Sequence, residues 1–133
     1  MHRLSDRHLL ITIPKTVSWQ TWLEEARHAE ESGGWLYYHV CRGAFDLRRV
    51  ADPCKVFVVH DGAVRGYHLM RAMDLLQQCR AFVCETTGRR WPEGWYLLRR
   101  GHFHPLERPV PYRGFRGVRY CQDFSQTQEM ELP

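Results

Sequence analysis

Asp61-Gly62 separates two β-forming runs, KVFVVH (Lys55 to His60) and AVRGYHLM (Ala63 to Met70), and this arrangement constrains the fold more than any other feature of the chain. A two-residue Asp-Gly connection suits a type I′ turn, whose backbone twist matches that of the strands it joins, so a tight antiparallel hairpin is expected here. Gly66 within the return strand predicts a bulge or a close backbone approach.

The rest of the chain supplies further strands and one helix. Leu9 to Ile13 (LLITI) is rich in β-branched residues and is stopped by Pro14, which predicts a first strand. Ser18 then precedes Trp19, Trp22, Leu23, Ala26 and Ala29, whose spacing puts them on one helical face. A helix over about 18–32 follows, with Ser18 as N-cap and Gly33-Gly34 as its stop. Trp35 to Val40 and Trp95 to Arg99 read as strands, Thr87-Gly88 and Pro92-Glu93-Gly94 as turns, and Gly101 turns the chain into HFHPL. Between 71 and 85, Ala72, Met73, Leu75, Leu76 and Cys79 suit coil or a short helix, and AFVCE suits a strand. So many consecutive strands usually escape their open edges by curling. The expected fold is therefore α+β, a small mixed β-barrel with one main helix packed against it, in a single domain over residues 1–133.

Composition narrows the function classes. A 13% aromatic content argues against disorder. No apolar run approaches the roughly 18–20 residues that cross a bilayer, and MHRLSDRHLLITIP lacks the core of a signal peptide, so no membrane association and a cytoplasmic location are expected. The five cysteines have no C-x-x-C spacing and predict neither a disulfide framework nor a zinc knuckle. Charge is uneven: residues 89–120 hold eight arginines against Glu93 and Glu107, a formal +6 by eight minus two. An excess of that size attracts polyanions.

Three segments together resemble the PUA-like superfamily, which includes the PUA, ASCH, EVE and YTH domains: LLITIP leading into a helix, KVFVVHDGAVRGY with its Val64-Arg65-Gly66, and WPEGWYLLRRGHFHPLERPVPYRGFRGVRY. Gly33 onward reads GGWLYYHVCR, where many ASCH domains have Gly-x-Lys-x-x-Glu-x-Arg. The resemblance implies a PUA-like pseudobarrel with a cleft that binds RNA or a modified base.

The residues themselves offer binding chemistry of the same kind. YRGFRGVRY places Arg113, Arg116 and Arg119 at every third position, with Tyr112, Phe115 and Tyr120 between them. Guanidinium forks pair with phosphates, and aromatic faces stack on bases of any sequence, as a single-strand binder requires. The competing reading puts Phe115 and Tyr120 in the core of the last strand. Arg89 and Arg90 precede Trp91, in a loop that can show an indole beside two cations. Trp35 and Tyr37 can form a further aromatic wall, with Tyr38 on the opposite strand face. Lys15, with Thr16 and Ser18, precedes the helix, whose free N–H groups suit phosphate. Capping by Ser18 explains those residues equally well. His102 and His104 share a strand face, but two ligands do not make a zinc site, so no metal is expected.

No nucleophile elbow, phosphate loop or metal motif occurs, and no cofactor is implied. The expected function is nucleic-acid binding, with RNA favoured and single-stranded or modified-base recognition through a basic, aromatic cleft. Two alternatives stand beside it. One is a metal-independent ribonuclease of ASCH-like type. The other is a protein-interaction domain of phage or mobile-element origin, since Trp, Tyr and Arg also dominate protein hot spots.

Overall fold

The computed structural model describes residues 7–41, 43–84 and 88–126. Within them the chain runs β1 (His8–Thr12), α1 (Trp19–Ser32), β2 (Leu36–Val40), β3 (Cys54–His60), β4 (Ala63–Met70), β5 (Leu76–Cys79), β6 (Phe82–Val83), β7 (Arg90–Trp91), β8 (Gly94–Arg99), β9 (Phe103–Pro111) and β10 (Arg119–Cys121). The fold is α+β, mostly strands in mixed sheets with one main helix. Among the described residues, no helix is long and apolar enough to cross a membrane.

The hairpin is the centre of the larger sheet, whose order is β10-β1-β3-β4-β9. Asp61 (φ 48°) and Gly62 (φ 76°) both adopt the left-handed backbone that a type I′ turn demands. The expected irregularity at Gly66 is present: pairing of β4 with β9 shifts register between Val64 and Gly66. β1 lies parallel to β3, Leu9 opposite Val56 and Thr12 opposite Val59. Both strands are covered on both faces, which is why they read as unbroken apolar runs. Leu9, Ile11, Val56 and Val58 face one core with Trp22 and Ala26 of α1 and with Val40 and Leu97 of the second sheet. Leu10, Phe57 and Val59 face a smaller core closed by Leu106 and Phe124.

α1 begins and ends where its caps dictate. The Ser18 hydroxyl accepts from Thr21 N–H at 3.1 Å, and Gly33 takes a left-handed φ of 70°. Trp22, Ala26 and Ala29 form its buried stripe, and Trp22 stacks on Trp19 at 5.0 Å.

The segment between 71 and 85 departs from expectation. Only Ala72–Asp74 makes a short 3-10 turn, and Leu76–Cys79 is a strand instead of coil or helix. β8 offers it an open edge, and Leu76 to Cys79 pair antiparallel with Leu97 to Gly94. The strand expected in AFVCE shrinks to Phe82–Val83, paired with β7 in a separate two-stranded ribbon. Glu85 and Thr87 lie outside the described residues. β9 is longer than expected and carries Pro105, Pro109 and Pro111, which its edge position tolerates. The last strand starts only at Arg119, so Phe115 lies before it.

Candidate nucleic-acid interface

The second sheet has the order β2-β8-β5, with β2 as an open edge. Strand alternation gives it two different faces. Tyr38, Leu97 and Trp95 meet the main core, whereas Tyr37 and Tyr96 meet the β6–β7 ribbon. Phe82 and Trp91 sit opposite each other in that ribbon and both pack on Tyr96, at 5.5 and 5.8 Å. Phe82 also meets Tyr37 at 4.7 Å. The Tyr96 hydroxyl donates to the Pro92 carbonyl and fixes the turn that follows Trp91.

Between this ribbon, the edge of β2 and the flank of α1 is a hollow of about 180 Å³ lined by Trp35, Tyr37, Trp91, Arg89 and Glu25, with Val17 at its wall. A more open hollow of about 560 Å³ shares Ala29, Trp35, Tyr37 and Cys84 with it and extends to His28 and Phe82. Two cations lie on the aromatic walls. The Arg89 guanidinium is 4.6 Å from the Trp91 ring centroid, and that of Arg100 is 4.5 Å from Trp35. Stacking orders a guanidinium in a fixed plane against the ring. Burial raises the Glu25 pKa above the ordinary carboxylate value, and burial likewise raises that of Tyr37, with smaller contributions from Cys79 and Cys84.

Residues 112–118 form a second basic surface, laid over the end of the large sheet where β1 and β3 finish. Tyr112 N–H donates to the Gly62 carbonyl at 2.9 Å, and Phe115 N–H to the Thr12 hydroxyl at 3.1 Å. Gly114 allows this approach, because a Cβ there would lie 3.2 Å from the Thr12 methyl. Arg113, Arg116 and Arg119 are exposed. The Arg119 guanidinium stacks 4.2 Å above Phe115. Lys15 stands at the same end of the sheet, 3.8 Å from Asp61 of the hairpin turn.

The expected site residues are thus divided between two places. Arg89 and Trp91 meet in the aromatic cleft, joined by Trp35 and Tyr37. Arg90 is exposed and alternates to the face opposite Trp91. Arg113, Arg116, Arg119 and Lys15 belong to the sheet end. Tyr112 is half-buried, with its ring against Phe115 and Phe124 at 5.9 and 6.0 Å, so it serves the smaller core. β2 links the two places: Tyr37 lines the cleft, and the Tyr38 hydroxyl donates to the Gly117 carbonyl at 3.4 Å. Val17, at the cleft wall, is two residues from Lys15.

At the helix N-terminus the Ser18 hydroxyl already accepts from Thr21 N–H, so the capping reading of that residue holds. His102 and His104 do lie ring to ring at 4.8 Å, and His102 pairs with Glu30 at 3.1 Å. Among the described residues, no group of three side chains could hold a metal ion. Glu25, Phe82 and Tyr96 are the cleft residues that sequence reasoning missed. For Glu25 the signal was its position three after Trp22 and four before Ala29, on the flank of the buried stripe. Comparisons with models of protein families, with curated proteins and with solved structures found no match.

Proposed function

We propose that this protein is a nucleic-acid-binding module of PUA-like pseudobarrel type that takes single-stranded RNA across its open β2 edge. The observation that carries the reading is the cleft itself, where Trp35, Tyr37 and Trp91 surround a hollow edged by a guanidinium stacked on an indole. One base fits between such walls by stacking, and the adjoining phosphates pair with Arg89 and Arg100. From the cleft the strand passes Val17 towards Lys15, Arg113 and Arg116, which supply phosphate contacts without base readout. A path open along one edge and built on a single-sheet face suits a flexible single strand better than a rigid duplex.

Fluorescence anisotropy with a labelled heptauridylate tests this reading. Affinity is expected to fall steeply with salt. Changing Arg113, Arg116 and Arg119 together to Ala should reduce it by at least about tenfold at 50 mM salt and flatten the salt slope by about two to three contacts. Unchanged affinity and slope in the folded triple variant would remove the sheet end from the interface.

A further inference from the structure

We infer that the aromatic cleft selects guanine, through the Glu25 carboxylate. The inference rests on the reading of the cleft as a nucleic-acid site and names the base that enters it. Glu25 shares the smaller hollow with Trp35, Tyr37, Trp91 and Arg89. Among the described residues no hydrogen bond or ion pair engages the Glu25 carboxylate, which is partly buried. The site therefore combines aromatic faces, which hold any base, with one carboxylate, whose paired acceptor oxygens distinguish one base from another.

A carboxylate presents two acceptor oxygens side by side. The Watson–Crick edge of guanine presents two adjacent donors, N1–H and the 2-amino group, so the two groups match in a bidentate pair. Adenine and cytosine each place one amino donor beside a ring nitrogen acceptor, which would face the second oxygen and be repelled. Uracil has one N3–H flanked by two carbonyl oxygens and fits worst. The carboxylate also keeps phosphate away from the cleft floor, so the base enters and the phosphate stays at the rim with Arg89. That same Arg89 disfavours a cationic peptide side chain, the other ligand that an acidic aromatic hollow attracts.

The experiment uses the full chain and labelled heptanucleotides UUUNUUU, with N set to guanine, adenine, cytosine, uracil or hypoxanthine, read by anisotropy. The guanine oligonucleotide is expected to bind about tenfold more tightly than the uracil one, the scale of a good bidentate pair. Hypoxanthine, which keeps N1–H and lacks the 2-amino group, should fall between them. Glu25→Gln should bring all five to within about twofold of one another, weakening guanine and strengthening uracil, because the amide offers one acceptor and one donor where the carboxylate offers two acceptors. Equal binding of all five by the wild type overturns guanine selection and leaves the RNA reading standing. A guanine preference that survives Glu25→Gln overturns the role of Glu25. Failure of every oligonucleotide to bind overturns the RNA reading, and guanine selection with it.

Discussion

Gly66→Ala should destabilise the protein by about 3 kcal/mol or more, read as a fall in the urea midpoint at unchanged m-value. A Cβ at this position would lie 2.4 Å from Phe103 Cζ and 2.5 Å from the His104 backbone carbonyl oxygen. The Phe103 ring is held by Trp22 at 4.8 Å and by Trp19 at 5.8 Å, so it has no room to swing aside. The carbonyl belongs to the neighbouring strand β9, and moving it breaks the ladder on both sides of the bulge. The loss is a large share of the roughly 5–15 kcal/mol that holds a domain of this kind. Gly62→Ala is the useful contrast. Nothing lies within 4 Å of its added methyl, and only the left-handed backbone (φ 76°) resists it, at about 1–2 kcal/mol. Equal losses at the two positions would mean that close approach of β4 and β9 is not what fixes Gly66.

Arg99→Met should have the opposite sign and raise stability by about 1–4 kcal/mol. Arg99 is 2% exposed, and among the described residues no group accepts from its Nε or Nη1. Beside it, His68 is fully buried, and among the described residues neither ring nitrogen has a hydrogen-bond partner. Burial lowers the Arg99 pKa to about 10, with the Tyr38 hydroxyl opposing the shift slightly. Burial, helped by the Arg99 charge, lowers that of His68 to about 3. At neutral pH the histidine is therefore neutral and the arginine still charged. The sign of the pH dependence follows. A base whose folded pKa is depressed costs stability at every pH below that value, and the cost is relieved only as pH rises through about 10. The gain from Arg99→Met should hence be level between pH 7 and 9, because folded His68 stays neutral throughout and its titration in the unfolded chain is common to both proteins. A folded but less stable variant would contradict a net cost of the buried guanidinium.

Arg99 and its neighbour Arg100 also mark where the sequence stops being legible. Arg99 and Arg100 end WYLLRR as an apparent pair of solvent cations. Alternation along β8 sends one inward between the sheets and lays the other on Trp35. Which one turns inward depends on the register with β2, Leu36 opposite Arg99, a pairing of segments distant in the chain. The hairpin and the helix were readable because local chemistry decides them: two left-handed residues in a turn, a hydroxyl cap and a left-handed glycine. β5 was not readable, since LQQC has no β-branched residue and becomes a strand only through the free edge of β8. The same division applies to the cleft. Arg89 and Trp91 are adjacent enough in sequence to suggest a stack, whereas Glu25 joins the cleft lining only when the β6–β7 ribbon is brought over the flank of α1.

Entry of RNA into the cleft beside β2 can be watched residue by residue. Titrating the 15N-labelled protein with UUUGUUU and following its five tryptophan indole N–H signals tests it most directly. The indoles of Trp91 and Trp35 should shift most, together with the backbone amides of Arg113 to Gly117, while the buried indole of Trp22 stays in place. Shifts confined to the exposed apolar residues Leu69 and Met73, or no shift at a stoichiometric excess of RNA, would contradict it.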